Sequence, residues 1–98
     1  MSDLIISDHL KSSYKMITEA FPKSVSENEY FPLLAFLYEH FSDRNLAALM
    51  AVVTGKDSEN VLNDISKSVT IMKPSEDTVN LIHFKLKQAG FEKWLEED

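Results

Sequence analysis

Glu29-Tyr30-Phe31-Pro32-Leu33-Leu34-Ala35-Phe36-Leu37-Tyr38-Glu39-His40-Phe41 is the stretch that decides the fold class. Tyr30, Leu33, Leu34, Leu37, Tyr38 and Phe41 fall at i, i+3, i+4, i+7, i+8 and i+11, the period of an α-helix with one buried stripe. Phe31, Ala35 and Phe36 lie on a second face, so this helix is apolar nearly all round and is expected in the middle of the protein. Ser26-Glu27-Asn28-Glu29 has the S-x-x-E form of a capping box. Pro32 lacks an N–H and fits best in a first turn, which predicts regular helix from Glu29 or Tyr30.

Upstream, Leu10, Tyr14, Ile17 and Phe21 keep helical spacing, with Ser7 as cap and Pro22 as stop. Leu4-Ile5-Ile6 before it reads either as a frayed turn or as an arm packed on a neighbour. Downstream, Ser42-Asp43 starts a third helix that ends at Gly55, striped by Leu46, Leu49, Met50 and Val53. Its Ala47, Ala48 and Ala51 would let another helix approach closely. A fourth helix is expected from Asp57 or Ser58 to Met72 on Val61, Leu62, Ile65, Val69 and Met72. Its β-branched run Val69-Thr70-Ile71 weakens the last turn and leaves a short strand as the lesser alternative. Ser75 then caps a fifth helix with Glu76 and Asp77 in its first turn, which buries Val79, Ile82, Leu86 and Ala89 and stops at Gly90. Residues 91–98 read as a tail that can pack its aromatics Phe91 and Trp94 back on the helices, with the acidic part, 92–98, left to water.

The 98 residues form one domain, and short joints without a Pro-, Gly- or Ser-rich linker agree. Only 2 Gly and 3 Pro occur, where average usage gives roughly 12 together, and an all-β domain needs more turn residues than that. The expected fold is therefore all-α, a compact bundle of about five short helices. A formal charge of −6 argues against a phosphate-seeking surface. With no cysteine, disulfides, thiolate metal sites and cysteine nucleophiles are excluded. The apolar runs are far shorter than the ~18 residues of a membrane span. Asp3 stands where a signal peptide carries a cation, so a cytoplasmic protein is expected.

Phe21-Pro22-Lys23-Ser24-Val25, then Glu29 to Leu37, then Phe41-Ser42-Asp43, followed by Thr70, Pro74, Asp77, Leu86 and Gly90-Phe91 in that order, resemble a known pattern. It is that of the small bacterial family catalogued as domain of unknown function 3349, and the resemblance spans about residues 14 to 92. The resemblance implies an all-helical fold of about five helices and no established activity, so no catalytic residue is carried over. The chain departs from the pattern where Ser24 replaces a glycine, and where Lys, Ser and Asn replace surface Arg and Ala.

The chemical motifs are weak. Thr54-Gly55-Lys56-Asp57-Ser58 superficially resembles a phosphate loop, but Met50 stands where its first glycine belongs and Asp57 where Ser or Thr should follow lysine. Helix end and helix cap explain those residues better. His9, His40 and His83 are isolated in sequence, and adjacent Asp8-His9 and Glu39-His40 diverge by about 100° on a helix. The acids Glu27, Glu29, Glu76 and Asp77 sit at helix starts, where capping and the dipole account for them. No metal or cofactor is expected, and no catalytic residue.

What remains is an apolar surplus. Leu81, Phe84 and Trp94 lie off the main stripes and, with Glu92 and Glu96 as an acidic rim, are the expected contact residues for a protein partner or for self-association. The leading expectation is a non-enzymatic helical interaction or regulatory module. The alternative is a small nucleic-acid-binding regulator using helices 58–72 and 76–89, although Glu76-Asp77 heads the candidate recognition helix and Arg44 is the one arginine. An enzyme built around His40 or His83 rests on residue availability alone.

Overall fold

Ser26, Ser42, Asp57 and Ser75 all take extended backbone angles at the head of a helix. At such an Ncap the side chain can relieve the orphan N–H groups of the first turn. Ser42 Oγ accepts from the Asn45 amide at 3.2 Å and Ser75 Oγ from the Thr78 amide at 3.3 Å. The computed structural model describes residues 8–96. They form α1 (Asp8–Ala20), α2 (Glu27–Leu37), a 3₁₀ turn (Tyr38–His40), α3 (Asp43–Thr54), α4 (Ser58–Ser68), α5 (Glu76–Gln88) and α6 (Phe91–Glu96). No strand occurs among the described residues, and the all-α expectation holds. The expected Ser7 cap and the Leu4–Ile6 arm lie outside the described residues.

Three boundaries differ from the expected ones. First, α2 starts at Glu27, ahead of Glu29 or Tyr30, so Pro32 sits in its second turn. Glu29 Oε1 accepts from the Ser26 amide at 3.1 Å and the Ser26 hydroxyl at 3.0 Å, holding the earlier turn. Asn28, whose carbonyl Pro32 cannot engage, is exposed to water. Second, α4 ends at Ser68, short of Met72. The Ser68 hydroxyl donates to the Ile65 carbonyl at 2.7 Å, the Thr70 hydroxyl to the Ser66 carbonyl at 2.7 Å, and the Met72 amide to the Lys67 carbonyl at 2.8 Å. Side chains and a six-to-one turn thus consume the last carbonyls that further helix would have used. Third, the expected tail folds from Phe91 to Glu96 as α6.

Packing explains the apolar patterns. The helix α1 lies on α3 and α5, α2 on α4 and α5, and α3 on α4, so each of these five elements has two principal neighbours in a closed ring. The short α6 packs on α1 and α5. The helix α2 is therefore one member of the ring, where the sequence placed it at the centre. Its stripe Leu33, Leu34 and Leu37 is fully buried, while Phe31, Ala35 and Phe36 are half-buried. Ile17, Leu46, Leu49, Met50, Val61, Ile65, Ile82, Leu86 and Phe91 complete the core from the other elements. Ala48, expected at a helix contact, is exposed.

The joint between α1 and α2 holds the one described non-glycine residue with positive φ, Ser24 at +132°. Its amide donates to the Phe21 carbonyl at 3.1 Å, closing the turn after α1. A Cβ is strained at that φ, which glycine would adopt freely. Ser24→Gly is expected to stabilise the protein by about 1 kcal/mol, or roughly 4–8 °C in Tm. Thermal unfolding checks this, and an unchanged or lower Tm contradicts strain at the position.

Candidate functional surfaces

On α5 the buried residues Ile82 and Leu86 define the inner face. At about 100° per residue, Leu81 and Phe84 point the other way, one turn apart on the same outward side. They are 65% and 59% exposed, which leaves two large apolar side chains adjacent in water. The basic residues of α5 are already engaged. Lys85 is ion-paired with Glu29 of α2 and stands 5.1 Å from the centroid of the Phe21 ring. Lys87 lies 3.6 Å from Glu92, both side chains being well exposed. The outward face of α5 therefore carries Asp77, Leu81, Phe84 and Gln88, apolar at its centre and acidic at its N-terminal end.

The other expected contact residues divide. Glu92 and Glu96 are exposed on α6, and Leu95 beside them, which the sequence also sets outside the main stripes, is 46% exposed. Trp94 is turned inward and is half-buried, as expected of a tail aromatic that packs back on the helices. Its Nε1–H donates to Ser13 Oγ of α1 at 2.8 Å, and its ring stacks on Phe91 with centroids 5.6 Å apart and lies 5.4 Å from Phe41. An indole buries its ring at low cost only when the N–H finds an acceptor, and the buried Ser13 supplies it.

His40 and His83, isolated in sequence, join this ring cluster. His83 stacks on Phe36 at 4.9 Å and meets Phe91 edge-on at 5.6 Å, while His40 lies 5.7 Å from Phe36 and 5.4 Å from Phe91. Both imidazoles thus sit against aromatic rings as members of this cluster. Among the described residues no group of three or more His, Asp or Glu could hold a metal ion, and no helix is long and apolar enough to cross a membrane. The joint between α4 and α5 runs from 69 to 75, longer than the three- or four-residue turn of a helix-turn-helix.

A second surface was not foreseen. A cleft of about 440 Å³ opens between the α1–α2 joint, α2, the end of α3 and α4. Tyr30 donates its phenol proton to Asp64 Oδ2 at 2.8 Å there, and Lys56 Nζ stands over the Tyr30 ring, 4.9 Å from its centroid. Burial first, then the carboxylate of Asp64, hold the Tyr30 phenol far above its ordinary range. Val25, Phe31 and Val53 supply apolar wall, and Ser24 and Glu27 stand at the joint side. The signal that could have found it is positional. Asp64 follows Val61 by three and precedes Ile65 by one, which puts it on the shoulder of the buried stripe and not opposite it.

No family model, curated protein or solved structure matches the chain.

Two predictions follow from the contacts between elements. The Lys85 ammonium, first among the causes, holds the Glu29 carboxyl below its ordinary range. A lowered folded-state pKa means stability that is present above the unfolded value and lost as pH falls through the folded one. Because Lys85 is 46% exposed and screened, Glu29→Gln is expected to cost about 0.5 kcal/mol at pH 7. The gap to the parent closes in acid, as urea titrations across pH will show, whereas a pH-independent gap contradicts the ion pair. Trp94→Phe keeps the ring contacts but strands Ser13, and about 1 kcal/mol is expected to be lost in the same assay.

Proposed function

We propose that this domain is a non-enzymatic interaction module whose outer α5 face binds another protein. The observation that carries the reading is the exposed pair Leu81 and Phe84 on a helix whose lysines are bound to acids of the same chain. A face with an apolar centre and an acidic end suits an amphipathic helix carrying Lys or Arg beside its apolar stripe. A second copy of this chain is the less favoured occupant, since its net charge of −6 sets like charges against each other. The resemblance to the small bacterial family and the cytoplasmic setting belong to this same reading. Both are compatible with a module that holds no cofactor.

Phe84→Asp places a charge in the middle of the face without touching the core. Affinity capture from the host under mild crosslinking is expected to retain a stoichiometric protein with the parent chain and to lose it with Phe84→Asp and with Leu81→Asp. Both variants should keep the parent's helical circular dichroism and Tm within a few degrees, because surface substitutions typically cost no more than about 0.5 kcal/mol. A parent chain that captures nothing, stays monomeric by light scattering and binds no hydrophobic dye overturns the proposal. So does a partner equally well retained by both aspartate variants.

A further inference from the structure

The cleft beside Tyr30 carries its own cation. Lys56 Nζ lies 4.9 Å from the Tyr30 ring centroid, and with it in place Tyr30 is only 5% exposed. The remaining charged residues that line the cleft are Glu27 and Asp64, both acids. Once Lys56 swings away, the cleft presents an aromatic face, an acidic wall and the apolar side chains of Val25, Phe31 and Val53. Those are the elements that hold an organic ammonium: the ring quadrupole attracts the charge, the carboxylate pairs with it, and the apolar wall takes the carbon body. The backbone favours such an exchange. The Lys56 amide is fixed to Thr54 Oγ1 at 3.2 Å, while the residue itself is exposed, so its long side chain can leave without moving the chain.

We propose that this cleft binds a small organic cation, a primary amine with a short apolar body, whose ammonium displaces that of Lys56 from the Tyr30 ring and sits between the ring and Asp64. Lys56 is then an internal competitor that occupies the face of the Tyr30 ring in the free protein. An anion fits poorly, because Glu27 and Asp64 face it and Lys56 is the single cation of the lining. A volume of about 440 Å³ accommodates a molecule of this size, within the usual range of roughly 300–1,000 Å³ for ligand sites. No residue of α5 or α6 lines the cleft, so this inference stands or falls independently of the interaction face.

The test is titration of the isotope-labelled full chain with phenethylamine, its neutral counterpart phenethyl alcohol and its anionic counterpart hydrocinnamate, followed by amide chemical shifts. The amine is expected to shift residues of the α1–α2 joint, the end of α3 and Asp64 saturably, about tenfold or more tighter than the alcohol, with the anion weakest. Lys56→Met is expected to tighten amine binding by about three- to tenfold, since it removes the competitor, and Asp64→Asn to weaken it by about tenfold. An amine that binds no tighter than the alcohol, shifts centred elsewhere, or a Lys56→Met protein with equal or lower amine affinity overturns the proposal. Should Asp64→Asn unfold, the alcohol comparison and Lys56→Met, at an exposed position, decide it between them.

Discussion

Everything in this structure depends on α2 having to hide apolar side chains on more than one side. Leu33, Leu34 and Leu37 are wholly removed from water, and Phe31 and Phe36 are half-removed on other faces. A helix with a single stripe could settle on one neighbour, but this one needs both α4 and α5. Those two are then held apart by the width of α2, and α1 with α3 must close the gap between them. Truncating any of the three leucines would cost about 2–5 kcal/mol, a large fraction of the 5–15 kcal/mol that holds a domain of this kind together.

The helix starts were legible because capping is local chemistry: Ser42, Asp57 and Ser75 stand where the sequence put them. Gly55 ends α3 with φ at +78°, as a C-terminal glycine should. What failed was decided by competition or by distance. Ser68 and Thr70 are unremarkable in a helical pattern until their hydroxyls take carbonyls that further turns of α4 needed. That Trp94 packs back was legible, but its acceptor is a serine some eighty positions earlier, and no periodicity within α6 encodes that partner. Leu81 and Phe84 were read correctly as outward, since a helix period fixes the face opposite Ile82 and Leu86 without knowledge of the partner elements.

The two surfaces differ in how they were assembled. The α5 face is the remainder of one amphipathic helix, acidic at its start through Asp77, with Lys85 and Lys87 reaching toward Glu29 and Glu92. The cleft exists only in three dimensions. Tyr30, Lys56 and Asp64 come from α2, a loop and α4, and their association follows from the packing of α2 on α4. Aromatic side chains also divide their work by location: the cluster of Phe36, Phe41, His40, His83, Phe91 and Trp94 seals one region of the bundle, whereas the Tyr30 ring underlies an opening.

The closed ring of helices also dictates an order of events on the ribosome. Pairing of α3 with α4 joins neighbours in the chain and can occur as soon as both have emerged, whereas α1 meets α5 and α6 only across most of the sequence. During synthesis the apolar side of α1, with Met16 and Ile17, has α3 for company but lacks its second wall until α5 and α6 leave the exit tunnel. A nascent chain halted before α5 would therefore display hydrophobic surface that chaperones and proteases recognise, and α5 with α6 acts as the seal over that side of α1.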